Sequence, residues 1–207
     1  MHEVAELDCH ELLLRLAGRL PDAQLWRFRD WLASGAQVVL SRALPASLLQ
    51  HRIALTEREH RLLSDSLTPF GADRAALQAM LVVDEVPRTS AKFSVDHPDT
   101  PAGGDAVSVV LAASLRSRAG VREVRCTWRR GQRPGEAGKR VVLVTASSEL
   151  AGLTGEVQRV LRALGEHEPC VEVLPSGMEL PDYHHAAWEA AELVCVGVEG
   201  GVASWTA

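Results

Sequence analysis

Two adjacent histidines lie in the segment PDYHHAAWEAAE, residues 181–192. The residue types of this segment suit metal binding or acid–base chemistry. On a helix, His185 and Glu189 lie one turn apart, the spacing at which a zinc-binding helix offers two ligands. His184 lies instead on the side of Trp188. The sequence supplies no H-x-x-x-H or C-x-x-C motif for a third ligand. His184, His185 and Glu189 are therefore candidate catalytic residues, and the favoured alternative is a docking helix with a solvated polar pair.

Phosphate chemistry has two candidate segments. GQRPGEAGKR at 131–140 has the glycines and lysine of a phosphate-binding loop, but Arg140 follows Lys139 where serine or threonine is needed. A strand is predicted to follow, so we interpret the segment as a hairpin loop. In TASSEL, residues 145–150, Ser147 or Ser148 is expected to cap a helix. Free N–H groups at that helix start make both serines candidate anion contacts, although Glu149 opposes an anion there.

Charge is unevenly distributed along the second half of the chain. Residues 106–140 hold nine basic and two acidic residues, a net charge of +7, whereas 141–207 hold two basic and ten acidic residues, a net charge of −8. Such segregation is typical of self-association, of an acidic protein partner, or of neutralisation within the molecule, and a solvated basic loop is a further alternative. A basic hairpin with Trp128 at its base is also typical of a nucleic-acid contact. The candidate contact residues are Arg129, Arg130, Arg133, Lys139 and Arg140.

Tryptophans mark three candidate interface positions. The segment LWRFRDW, residues 25–31, has helical apolar spacing. Trp26 and Trp31 are five residues apart, so they cannot both lie centrally on the core stripe of that helix. Tryptophan at the edge of such a stripe often marks a domain or partner interface. Trp26, Trp31 and Trp188 are therefore candidate interface residues, with ordinary core packing as the alternative.

The elements that must position these side chains change character near residue 82. Residues 1–82 carry repeated helix caps and helical apolar spacing, which predicts an all-helical bundle domain. Its signals include the T-x-x-E capping box at Thr56 and Glu59. Pro45 predicts a break between one helix at 36–43 and a short helix at 46–52.

The rest of the chain alternates helix and strand patterns. Residues 83–105 are predicted to form an extended segment and a linker rich in Pro, Gly and Asp. Residues 106–207 predict a small α/β sandwich domain of three to four strands with helices packed on the sheet. Whether the extended segment joins that sheet stays open at this point. The predicted fold class is α+β overall.

Composition narrows the class of protein. With 207 residues, 46% of them hydrophobic and 24% charged, the chain can bury a real core, which excludes wholesale disorder. The net charge of −5 alone indicates no polyanionic partner. The acidic N-terminus differs from a signal peptide, the apolar run at 106–115 is too short to span a bilayer, and the four cysteines are widely separated. We therefore expect a cytoplasmic protein with reduced thiols and no membrane partner.

These patterns favour a non-enzymatic interaction or regulatory protein. It would act through protein–protein contacts or self-association of a helical domain and a charge-segregated α/β domain. One alternative is nucleic-acid binding through the basic hairpin at 129–140. A second is a small metal- or histidine-dependent enzyme centred on residues 184–189. No cofactor and no metal is predicted.

Overall fold

A computed structural model describes residues 2–88, 90–95, 105–131 and 138–198 of the chain. Within them, an N-terminal helical region is followed by a mixed five-stranded sheet with helices on both faces, so the α+β fold class is confirmed. Most of the predicted linker, at 96–104, lies outside the described residues, and so does Arg133.

The N-terminal region is built from helices around a leucine-rich core. The predicted capping box is present, because the Glu59 backbone N–H donates to Thr56 Oγ1 and the Thr56 N–H donates to the Glu59 carboxylate. The helices are α1 (His2–Arg15), α2 (Asp22–Ala33), α3 (Gln37–Gln50), α4 (Glu57–Leu67) and α5 (Arg74–Gln78), with a 3-10 turn at Thr68–Phe70.

Pro45 does not break its helix. α3 is continuous from Gln37 to Gln50, so the predicted pair of shorter helices is wrong. An interior proline costs a helix about 3 kcal/mol. However, Leu40, Leu44 and Leu48 are fully buried along the same helix, and each contributes roughly 1.5–3 kcal/mol. Packing of α3 against the core therefore outweighs the hydrogen bond that proline removes.

Antiparallel and parallel pairing both occur in the sheet. β4 (Val121–Arg129) and β5 (Lys139–Ala146) pair antiparallel at its centre. β6 (Cys170–Pro175) pairs parallel with β5 and is the last strand on that side, and α7 (Leu150–Ala163) connects the two. On the other side of β4, β7 (Glu192–Val196) pairs antiparallel with its first half.

The extended segment after the helices divides between the two regions. β2 (Val82–Val83) pairs with β1 (Leu55–Thr56) inside the helical region. β3 (Phe93–Ser94) pairs instead with the last two residues of β4, which brings the sheet to five strands where three to four were predicted. Strands of two residues carry too little periodicity to be predicted from a sequence.

Helices cover both faces of the sheet. Successive side chains of a strand point to opposite faces. Val142 and Val144 accordingly pack in one apolar cluster, and Val141 and Leu143 pack in another. Burial on both faces explains the continuous apolar run of β5. The covering helices are α6 (Ala106–Leu115) and α7 on the first face, and α1 and α8 (Asp182–Glu189) on the second.

The helical region contacts the second half of the chain where its helix α2 packs against α7, which lies on the sheet. Gly155 of α7 permits this close approach, since a Cβ at that position would lie 2.6 Å from the Cβ of Ala33 on α2. The apolar core of the helical region also includes Ala151 of α7 and Tyr183 of α8. The division of the chain at residues 82 and 106 stays a prediction.

Candidate functional site

His184 belongs to a buried ion-pair network. It is fully buried on α8, and its Nε2–H donates to Glu172 Oε2 over 2.9 Å. Arg29 of α2 binds both oxygens of the Glu172 carboxylate, at 2.8 and 2.5 Å. Burial alone would raise the pKa of Glu172, but Arg29 and then His184 outweigh burial and lower that pKa below its usual range. The network therefore joins α2, β6 and α8 through an ionised carboxylate.

Side chains from the helical region occupy the outer edge of β6. Arg29 donates to the Val171 carbonyl oxygen over 2.8 Å, and His10 Nε2–H donates to the Val173 carbonyl oxygen over 2.8 Å. Burial lowers the pKa of His10 to about 4, so the ring is neutral at pH 7. An exposed strand edge invites pairing with other chains. At β6, α1 and α2 cover that edge.

The three candidate catalytic residues do not converge. His185 and Glu189 lie on the exposed side of α8, with 65% and 70% of their side chains accessible and 3.5 Å between Nδ1 and Oε1. His184 points into the interior, where its Nδ1 has no hydrogen-bond partner among the described residues. Nor do the described residues include a group of three His, Cys, Asp or Glu side chains placed to hold a metal ion. The geometry of His185 and Glu189 is that of a solvated i, i+4 pair.

The thiols of the chain are buried and free. Burial raises the pKa of Cys9, Cys126 and Cys170 to about 12 in each case. A thiol with so high a pKa stays protonated at pH 7, and the protonated form is a poor nucleophile. These three side chains therefore pack as small apolar groups.

Basic residues of the β4–β5 hairpin bind carboxylates of the same chain. Arg129 forms an ion pair with Asp22 of α2 and donates to Tyr183 Oη over 3.2 Å. Lys139 Nζ lies 3.2 Å from Asp22 and 3.0 Å from Glu168. Burial would raise the pKa of Asp22, but Arg129 and Lys139 lower it overall. The hairpin is thereby attached to the start of α2.

Arg140 is neutralised in the same way. Its guanidinium forms ion pairs with Asp105 and with Glu166, the latter at 2.8 Å, and lies 4.4 Å from the centre of the Trp128 ring. Arg130 is exposed. Three of the four hairpin cations within the described residues thus have carboxylate partners. Two of them, Lys139 and Arg140, pair with glutamates of the acidic 141–207 segment, whereas Arg129 pairs with Asp22.

A cleft of about 720 Å³ lies between the α1–α2 turn and the hairpin. Its lining has both signs of charge, with Arg130 and Lys139 beside Asp22 and Glu168. Arg19, also in the lining, is bound to the Glu59 carboxylate over 2.6 Å. This mixture of positive and negative charges selects no single class of ligand.

Neither serine of the TASSEL turn caps α7, so that prediction is wrong. Glu149 occupies the N-cap position with a left-handed φ of 52° and makes no side-chain cap hydrogen bond. The Ser147 N–H donates instead to the Gly120 carbonyl oxygen over 2.9 Å, which ties this turn to the start of β4. Arg118 binds the Glu149 carboxylate over 2.6 Å. An anion contact at Ser147 and Ser148, which are both exposed, stays a prediction.

The three tryptophans have different surroundings. Trp26 and Trp31 are half-buried on α2, where Arg162 of α7 lies over the Trp26 ring at 4.9 Å and Trp31 joins the helical core. Trp188 is half-buried on α8, with the Arg125 guanidinium 4.8 Å from its ring centre. Trp26 and Trp31 therefore contribute to packing within the chain, whereas Trp188 lies beside β7, an outer strand of the sheet.

β7 is packed on one face, where Cys195 is buried, and exposed on the other. Within the described residues, Glu192–Val196 pairs with β4 along one edge and with no strand along the other. Leu193 and Val196 are 48% and 59% exposed. Leu193 lies directly opposite Arg125, so it shares the face on which Trp188 lies. We call the free edge of Glu192–Val196, together with Trp188, Leu193 and Val196, the β7 surface.

No protein-family model, curated protein or solved structure matches the chain. Among the helices of the described residues, none is both long and apolar enough to cross a membrane.

Proposed function

We propose that this protein is a non-enzymatic interaction protein and that the β7 surface is its docking site. The supporting observation is the contrast between the two outer strands of the sheet. The edge of β6 is covered by Arg29 and His10, whereas the far edge of Glu192–Val196 pairs with no strand of the described residues.

A free strand edge presents a row of N–H and C=O groups that another strand can bind. The exposed Leu193 and Val196 add apolar area, and Trp188 adds an aromatic ring at the border of the same face. Aromatic residues next to apolar positions are enriched at the centres of protein interfaces.

The two alternative functions have less geometric support. Nucleic-acid binding by the hairpin stays a prediction, but Arg129, Lys139 and Arg140 would have to exchange carboxylates for phosphates. An enzyme centred on residues 184–189 would need His184 to leave the buried Glu172 network. Neither alternative uses the exposed apolar side chains of β7.

The proposal is tested by comparing three forms of the protein as bait in an extract of its own source. Leu193→Lys/Val196→Lys alters the β7 surface, and Val38→Lys/Val39→Lys on α3 is the matched control, since these valines are 53% and 48% exposed. Far-ultraviolet circular dichroism and thermal melting confirm that each variant folds.

We expect the wild type and the α3 control to bind the same protein, whether a second copy or another chain, and the β7 variant to lose it. A wild type that stays monomeric and captures no protein contradicts the proposed function. Equal capture by the wild type and the β7 variant places the interaction on another surface and contradicts the docking site.

A further inference from the structure

We infer that the β7 surface binds a second copy of this chain, through antiparallel pairing of two β7 strands about a two-fold axis. The inference rests on the proposed function, because it names the partner that this surface takes. It is carried by three properties of the β7 surface: the symmetry of strand pairing, the placement of charge and the positions of the apolar side chains.

The first property is symmetry. Two antiparallel strands are related by a two-fold axis, so one strand edge is complementary to a copy of itself. Pairing of β7 with β7 of a second copy would therefore satisfy the same backbone groups in both copies. It would join the two five-stranded sheets into one continuous sheet.

The second property is opposite charge at the two ends of the strand. Glu192 is exposed at the first residue of β7. At the other end, the Val198 N–H donates to the Arg116 carbonyl oxygen over 2.8 Å, which places the exposed Arg116 beside the end of the free edge. Antiparallel pairing brings the first end of one strand next to the last end of its partner. Glu192 of each copy then lies near Arg116 of the other.

The third property is the position of the apolar side chains around a β-bulge. Leu193 pairs with Arg125 and Cys195 pairs with Val124, so Val194 is an extra residue in β7. Because of this bulge, Leu193 and Val196 occupy the same face of the sheet. With the two-fold axis at the bulge, Leu193 of one copy lies opposite Val196 of the other, and the same register brings Glu192 towards Arg116. The charges and the apolar side chains thus select the same alignment.

The test is sedimentation velocity of the full chain over a concentration series up to about 100 µM. We expect a concentration-dependent species with twice the chain mass of 22.4 kDa. Leu193→Lys/Val196→Lys should abolish it, and Val38→Lys/Val39→Lys should leave the dissociation constant unchanged.

A charge exchange tests the alignment. Glu192→Arg and Arg116→Glu, made singly, should each weaken the dimer about tenfold, because each change places like charges together at two symmetric positions. The double variant Glu192→Arg/Arg116→Glu should restore the dissociation constant of the wild type. Replacing the Arg116 side chain leaves its backbone carbonyl free to accept from Val198.

The outcomes separate this inference from the proposed function. A chain that is monomeric at every concentration, but captures a different protein through the β7 surface, overturns the second-copy inference and leaves the proposed function standing. A monomer that captures no protein overturns both. A dimer that is insensitive to the Leu193→Lys/Val196→Lys change also overturns the inference.

Discussion

His10 is expected to make the stability of the fold depend on pH within a defined window. The ring is 2% exposed, its Nε2–H donates to the Val173 carbonyl oxygen, and burial lowers its pKa to about 4. A histidine in an unfolded chain has a pKa of about 6.5. As the pH falls below 6.5, the unfolded chain takes up a proton that the folded protein does not. Stability is therefore lost between about pH 6.5 and pH 4, and this group adds no further loss at lower pH.

The size of the effect follows from the difference between the two pKa values. A difference of about 2.5 pH units corresponds to about 3 kcal/mol of unfolding free energy in total. Between about pH 7.5 and pH 5, about 2 kcal/mol of this loss should appear. The variant His10→Gln cannot titrate, and its side-chain amide has an N–H to donate to Val173. The difference between the wild type and this variant therefore isolates the contribution of His10.

The assay is urea unfolding followed by circular dichroism at several pH values in that range. We expect the unfolding free energy of the wild type to fall by about 2 kcal/mol more than that of His10→Gln. Carboxylates that titrate in both proteins cancel in this comparison. If the two curves fall in parallel, His10 does not carry the depressed pKa and the reasoning from its burial is refuted.

Three further predictions concern the buried network, the thiols and the hairpin. Arg29→Met should cost about 3–5 kcal/mol of unfolding free energy, because it leaves the Glu172 carboxylate buried without its main partner. Arg29→Met/Glu172→Leu should recover most of that loss in urea unfolding, and an equally unstable double variant would contradict the coupling of the pair. The four buried thiols are those of Cys9, Cys126, Cys170 and Cys195. The native protein should therefore react far more slowly with Ellman's reagent than the urea-unfolded protein, and rapid native labelling would contradict the burial of its thiols. Arg129→Ala/Arg130→Ala should leave oligonucleotide affinity unchanged, and a large, salt-dependent loss of affinity would support the nucleic-acid alternative.

Local patterns in the sequence predicted the helical N-terminal region and the alternation of helices and strands after it. The capping box at Thr56 and Glu59 marks the start of α4, and the apolar run CVEVLP coincides with β6. Both patterns depend only on neighbouring residues, so they can be recognised without knowledge of the fold. The error at Pro45 has the opposite origin, because the packing of α3 against the rest of the core overrides the local preference of proline.

Long-range pairing could not be predicted in the same way. Glu172 in the middle of an apolar strand is a signal that a buried charge needs a partner, but nothing in the sequence identifies Arg29, 143 residues away, as that partner. The segment LVCVGV is as apolar as a central strand, yet β7 is an outer strand with exposed side chains. Edge position depends on strand order, which one sequence does not specify. Similarly, the charge segregation was visible from the sequence, whereas its neutralisation by Asp22 and Asp105 was not.

The most direct test of the β7 surface as docking site is amide hydrogen exchange in β7. Exchange in the segment 192–198 is compared between the dilute chain and the chain saturated with its partner, with α3 as an internal reference. We expect fast exchange of the outward β7 amides in the dilute chain and strong protection on binding, with α3 unchanged. Binding that leaves exchange in 192–198 unaltered, while protecting another surface, would contradict the docking site.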